Sequence, residues 1–193
     1  YYLSLIDPDD PNDPVRAMAL PSVDELNLMG SYDTSGEKDN TKMPGLQHKY
    51  PQTALILSTN RCAMYCRHCF RQRLVGLPNH ELLQRFDDAA AYVRQHREVN
   101  NVLITGGDPF VLDTSIIARF LEMLSDIPHL SLIRFGTRTP VTLPHRITHD
   151  PDLIRLLKKH SLPQRRIYVV TQFNHPREIT EESVAAVDCL IRA

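Results

Sequence analysis

The sequence predicts an α/β fold with a parallel sheet, on three observations. Short apolar runs with β-branched members recur at 53–59, 102–105, 130–135 and 167–170. Stretches with apolar residues at helical spacing separate them, an alternation that implies right-handed βαβ units with helices covering the sheet. Every glycine-rich or unusually polar cluster falls just after one of these runs. All four clusters are therefore expected at one end of the sheet, where such folds build their sites.

Taken in order, residues 1–52 form an arm and loop, and 53–193 the α/β body. Asp7-Pro8-Asp9-Asp10-Pro11-Asn12-Asp13-Pro14 places three prolines among turn-forming residues and favours an irregular, turning arm. Residues 30–40 are polar and aperiodic, a mobile loop. The run at 53–59 is the first strand, and a cysteine-bearing loop follows it. Pro78-Asn79-His80-Glu81 offers an N-cap and an early acid, after which Leu82, Phe86, Ala89, Ala90 and Val93 recur at helical spacing. Gly106-Gly107-Asp108-Pro109 ends the second strand, and the helix after Asp113 presents Ile116, Ile117, Phe120, Leu121 and Leu124 on one side. Gly136-Thr137-Arg138-Thr139-Pro140 ends the third strand, and Asp150-Pro151 starts a helix with cap and proline in favoured places. Thr171-Gln172-Phe173-Asn174-His175-Pro176 follows the fourth strand. The last helix has Glu181 and Glu182 in its first turn and Val184, Val187 and Ile191 on its expected inner face.

Composition excludes several classes. Among 193 residues, 22 basic and 23 acidic side chains leave a net charge of −1, so no global field attracts nucleic acid or an anionic membrane, and a small substrate is expected. No apolar run approaches the roughly 20 residues that span a bilayer, and no secretory signal is present, which points to the cytoplasm. Residue 1 is Tyr, and the last residues continue a helical pattern. Both ends look cut, and the fourth strand is then an unpaired edge, so the isolated chain is expected to be unstable or to aggregate.

The stretch from Arg61 to Arg73 holds three of the four cysteines: Cys62, Cys66 and Cys69, four and three residues apart. One turning loop can aim three thiolates at a common metal centre. Four-iron clusters are usually held by four cysteines, so three leave one iron open to a cofactor or substrate. Arg61, Arg67, Arg71 and Arg73 are expected to lower the thiol pKa values and offset the cluster's charge. Three other readings remain: buried core cysteines, a zinc site completed by His68, and a disulfide with one cysteine left over. Gly106, Gly107 and Asp108 alone mark only a turn. Beside a cluster, the glycines would let backbone approach a ligand, and carbonyls with the carboxylate would accept from an ammonium group. Arg138 either holds a carboxylate or pairs with an acid, and His175 is structural.

These residues resemble the radical S-adenosylmethionine superfamily, through Cys-x3-Cys-x2-Cys after a first strand and Gly-Gly-Asp after a second. Within it, Tyr1-Tyr2-Leu3-Ser4-Leu5-Ile6-Asp7-Pro8, His48-Lys49-Tyr50-Pro51, Met64-Tyr65-Cys66-Arg67-His68-Cys69, Arg138-Thr139-Pro140-Val141 and Phe173-Asn174-His175-Pro176 resemble the lysine 2,3-aminomutase family from end to end of the chain. The resemblance implies a partial βα barrel with four of the family's six units. It implies an isomerase that moves an amino group from C2 to C3 of an amino acid: lysine, or alternatively glutamate or arginine. Cys62, Cys66 and Cys69 would hold a 4Fe-4S cluster, and Gly106, Gly107 and Asp108 would meet the amino group of S-adenosylmethionine, with Arg138 in the same cofactor site. Arg71 would bind the substrate carboxylate, and Lys49 and Tyr50 would contact pyridoxal 5'-phosphate. A reductant such as flavodoxin or ferredoxin and a homo-oligomer are also implied. The family's His-Arg-Tyr-Pro-Asp-Arg stands here as His48-Lys49-Tyr50-Pro51-Gln52-Thr53, so Thr53 replaces one phosphate-binding cation. Gln172 likewise replaces a histidine. The Schiff-base lysine would lie beyond Ala193, so the chain alone is expected to be inactive, or to act as a metal-binding module without turnover.

Overall fold

The computed structural model describes residues 1–27, 30–31, 33–76 and 80–193. Six strands lie in chain order in one open, mixed sheet: β1 (Thr41–Met43), β2 (Leu46–Tyr50), β3 (Thr53–Thr59), β4 (Asn101–Gly106), β5 (Leu132–Gly136) and β6 (Arg166–Val170). β3 to β6 are parallel and correspond to the four predicted strands. The β1–β2 hairpin was not foreseen. It pairs antiparallel with β3 and draws residues of the expected irregular arm into the sheet. Gly45 turns it at φ 81°, and an added Cβ there would sit 2.0 Å from the Leu83 nitrogen.

Alternation gives the sheet two different faces. Ala54 and Ile56, Val102 and Ile104, and Ile133 and Phe135 are fully buried on one. They belong to the main hydrophobic core, to which the helices that join the parallel strands also contribute. Leu55, Leu103, Arg134 and Tyr168 occupy the other, paired in register across β3 to β6, with Gln47 of β2 opposite Leu55.

The helices are α1 (Pro14–Ala19), α2 (Glu37–Asn40), α3 (Phe86–Gln95), α4 (Thr114–Ser125), α5 (Thr139–Thr142), α6 (His145–Thr148), α7 (Pro151–His160) and α8 (Glu181–Ile191). α4 buries Ile117, Phe120, Leu121 and Leu124 as its period requires, and truncating Phe120 to Ala would cost about 3–5 kcal/mol. α7 starts at the Asp150 cap, whose side chain accepts from the Leu153 amide at 3.0 Å.

Two expected helix details differ. α3 begins at Phe86, with Arg85 as a cap that makes no side-chain capping bond, so Leu82 precedes the helix. Pro78 and Asn79 of the expected cap lie outside the described residues, as does Tyr32 of the expected 30–40 loop. In α8, Ser183 and Ala186 are buried, while Val184 and Ile191 are exposed. A capping box with Thr180 and a 2.8 Å bond from the Ser183 hydroxyl to the Glu178 carbonyl turn the small residues inward.

The N-terminal arm is fastened across the end of the chain. Tyr2 donates to Glu178 Oε1 at 2.6 Å, and the Tyr1 hydroxyl lies 2.5 Å from Thr180 Oγ1. Asp13 accepts from the Arg16 and Asp7 amides at 2.7 and 3.0 Å and pairs with Arg177. No described helix is long and apolar enough to cross a membrane.

Candidate functional site

Two cavities meet at Phe70 and Arg71, which line both. The first, of about 390 Å³, is built by the segments that follow the parallel strands: Cys62, Cys66 and Cys69 after β3, Gly106 to Asp108 at the end of β4, Gly136 to Arg138 after β5, and Thr171 and Gln172 after β6. This is the convergence expected from chain order. All four cysteines are free thiols.

The cysteine loop is held from both sides. Arg67 donates its amide to the Met18 carbonyl at 2.9 Å, Gly76 donates to the Asn60 carbonyl at 2.8 Å, and Met64 packs with the cluster around Tyr2, Val15 and Val141. The glycines after β4 have their first partner here. Gly106 has φ 119°, and a Cβ on Gly107 would lie 2.4 Å from the Arg61 carbonyl oxygen. The Gly107 amide donates to the Thr59 carbonyl at 2.6 Å and the Asp108 amide to that of Arg61 at 2.8 Å. The pair lets the cysteine loop lie directly on the end of β4 while still lining the cavity.

Asp108 differs from expectation. Its carboxylate accepts from the Phe110 amide at 3.0 Å, Thr137 Oγ1 at 2.5 Å and the Arg138 amide at 2.8 Å, so both oxygens bind the two loops together. Burial raises its pKa against the pull of those donors. A ligand ammonium would meet a carboxylate whose oxygens already have partners.

The arginine expectation is corrected as well. Burial, then the charges of Asp108, Cys69 and Cys66, push the Cys62 thiol up to about 12, and burial also raises Cys69. Of the loop arginines, Arg71 pulls against that rise, its amide donating to Cys69 Sγ at 3.4 Å and its charge lowering the thiol. The side chains, however, are drawn to acids: Arg67 to Glu25, and Arg71 and Arg73 to the buried Glu37. The cation at a sulfur is Arg138, whose Nη1 donates to Cys66 Sγ at 2.9 Å while Nη2 donates to Glu178 Oε1 at 2.7 Å and Nε to the Gln172 carbonyl at 3.2 Å. Its side chain therefore pairs with Glu178, and only its amide reaches Asp108.

The donor set fits a cluster better than a single ion. Zinc–sulfur bonds of ~2.3 Å put tetrahedral ligands roughly 3.8 Å apart. Among the described residues, the ligand group that converges within 4.8 Å is His48, His96 and Glu98, and the three sulfurs do not form such a group. His68 is turned toward Asn174, its Nε2 lying 3.3 Å from Nδ2.

The second cavity, of about 420 Å³, opens on the sheet face that carries Gln47, Leu55, Leu103 and Arg134, with Lys49, Tyr50 and Thr53 on its wall. Lys49 and Tyr50 are exposed, and Lys49 Nζ stands 5.8 Å from the Tyr50 ring centre. Arg71 is 8% exposed. Its Nε donates to Glu37 Oε1 at 2.9 Å and its Nη1 to Thr105 Oγ1 at 3.2 Å. Gln47 Nε2 and Arg134 Nε are buried without a hydrogen-bond partner among the described residues. Unsatisfied donors of this kind fit a cavity that receives an anion such as a cofactor phosphate. Sequence reasoning missed Glu37, Glu178, Gln47 and Arg134. Arg134 was hidden in a strand pattern and Gln47 in the expected arm, and no local signal marked the two acids.

A family model described as the Radical SAM superfamily matches residues 56–184. The chain is 44% identical over its whole length to the L-lysine 2,3-aminomutase of Clostridium subterminale, covering 46% of that protein. It is 41% identical to the L-lysine 2,3-aminomutase of Bacillus subtilis (strain 168), with 100% of this chain and 40% of that one aligned. It is 40% identical to the glutamate 2,3-aminomutase of Clostridioides difficile (strain 630), with 100% of this chain and 45% of that one aligned. The chain spans about half the length of the curated relatives it matches.

Proposed function

We propose that this chain, which belongs to the Radical SAM superfamily, is the cluster-bearing part of an amino-acid 2,3-aminomutase, with L-lysine as substrate. One observation carries the reading: a cavity with three free thiols meets a second, cation-lined cavity at Phe70 and Arg71. Cys62, Cys66 and Cys69 would hold a 4Fe-4S cluster. When bound, the cluster with S-adenosylmethionine supplies a hydrogen-abstracting radical, and pyridoxal 5'-phosphate carries the migrating amino group.

The chain's own residues bind, orient and shield. Arg138 sets a positive charge against Cys66 and offsets that of the thiolate-bound cluster. Gly106, Gly107 and Asp108 shape the wall for S-adenosylmethionine. Arg71, held by Glu37 and Thr105, keeps Nη2 without a partner among the described residues, and this edge is available to a substrate carboxylate. Lys49 and Tyr50 form the outer wall toward pyridoxal phosphate, and Phe70 stands where the cavities join. A one-electron donor of the flavodoxin or ferredoxin kind would reduce the cluster. We place the enzyme in the cytoplasm, as a homo-oligomer. Lysine is preferred because several relatives carry that substrate in their names, and the glutamate enzyme favours the second reading, the same chemistry on glutamate.

The test is anaerobic incubation of the reconstituted full-length protein with dithionite and S-adenosylmethionine. Formation of 5'-deoxyadenosine that is lost in Cys62→Ser is expected. A cluster-loaded full-length protein that forms none refutes the reading. In the full-length protein, conversion of L-lysine to a β-amino acid identifies the substrate, and conversion of glutamate alone shifts the assignment.

A further inference from the structure

We infer that Gln47 and Arg134 are the anion-binding floor of the second cavity and take a phosphate monoester there, supplying the donors that Thr53 lacks. The identity of the phosphate as that of pyridoxal phosphate rests on the function proposed above, whereas the anion site does not.

Three observations converge. First, strand register places the two side chains in one row: Gln47 is opposite Leu55, Leu55 beside Leu103, and Leu103 beside Arg134. Alternation then sends both to the face away from the helices, into the cavity. Second, both carry an unsatisfied donor. Gln47 is 5% exposed, yet its Nε2 has no partner among the described residues, and neither has Arg134 Nε. An amide or guanidinium nitrogen buried without an acceptor is costly unless a ligand completes it. Third, Arg134 is held where a cation is missing. Its Nη2 donates to Asn101 Oδ1 at 2.7 Å, and the same oxygen accepts from Thr53 Oγ1 at 3.1 Å. The guanidinium thus stands beside the residue that replaces the resembled family's arginine. With Lys49 and Arg71 on the same walls, three cations and an amide face one space, and Glu37, which also lines it, is held by Arg71 and Arg73. That set suits a phosphate's charge and several acceptor oxygens.

The buried amide gives a test whose two readouts have opposite signs. Gln47→Leu keeps the side chain's approximate size and deletes the orphaned donor. Without ligand, the full-length variant is expected to unfold at a higher urea concentration than the full-length wild type. Its affinity for inorganic phosphate and for pyridoxal phosphate, measured by calorimetry, is expected to fall about tenfold to a hundredfold. Arg134→Met is expected to lose at least as much affinity, with a weaker dependence on salt. L-lysine, offered as a carboxylate source, should not compete with phosphate. Unchanged phosphate affinity in both variants overturns the inference, as does a Gln47→Leu chain that is less stable without ligand. If phosphate binds through these residues and pyridoxal phosphate does not, the anion site stands and the cofactor reading fails.

Discussion

The two cavities share Phe70 and Arg71 but are built by opposite means. The first is made from backbone that has just left a strand, and its walls are tied by main-chain bonds such as Gly107 to Thr59 and Asp108 to Arg61. The second is made from side chains on the sheet face itself, Gln47, Leu55, Leu103 and Arg134, contributed by four different strands. The loop-built cavity takes its shape from glycine, turns and capping, whereas the strand-built one takes its shape from register. A loop can be remodelled locally, but a slip of one residue in a strand would turn every member of the floor to the other face.

Four substitutions would break or sharpen this contrast. The largest effect is expected from Cys66→Ser, which removes one of three thiols from the first cavity. Iron per chain after anaerobic reconstitution should fall from about four to near zero, while phosphate binding in the second cavity should persist. Loss of both would mean that the cavities are not independent. Next is Glu37→Gln, which strips the shared acid from Arg71 and Arg73. Breaking a buried pair from one side costs roughly 3–5 kcal/mol, and the denaturant midpoint should show it. A midpoint equal to wild type would mean that the pair carries no weight.

A smaller loss is expected from Gly107→Ala, because its Cβ would meet Arg61 backbone at 2.4 Å. Overpacking of this kind costs about 1–3 kcal/mol and should lower cluster occupancy without changing phosphate affinity. Full occupancy would place the glycine's importance elsewhere. The smallest effect concerns the arm that braces the first cavity. Although burial acts to raise it, bonds from the Arg16 and Asp7 amides and from Arg177 lower the Asp13 carboxyl to about 2. Its contribution is present above the unfolded value of about 3.9 and is lost as pH falls toward 2. Wild type should therefore exceed Asp13→Asn in urea midpoint at pH 6, and the gap should close in acid. A gap independent of pH would assign the effect to shape instead of charge.

The same contrast explains what could be read from the chain. The four parallel strands and the convergence of Cys62, Gly106, Arg138 and Gln172 follow from order alone, since each cluster succeeds a strand. The β1–β2 hairpin did not show itself, because Leu46–Tyr50 is short and carries Gln, His and Lys among its residues. Its partner is β3, a contact no local pattern records. Arg134 was invisible as a cavity residue because it interrupts an apolar run. Only pairing with Leu103 and Tyr168 shows which way it faces. The charge around the cysteines was misplaced for a related reason. Composition put four arginines in the loop, but Glu25 and Glu37, distant in sequence, claim three of them, and Arg138 reaches the sulfur from the segment after β5.

The most direct test of the account is the electron paramagnetic resonance spectrum of the anaerobically reconstituted, reduced chain, recorded with and without S-adenosylmethionine. A four-iron signal that changes when S-adenosylmethionine is added is predicted, since three thiols leave one iron open to it. A folded chain that holds zinc through Cys62, Cys66 and Cys69, or a cluster whose signal is indifferent to S-adenosylmethionine, would contradict it.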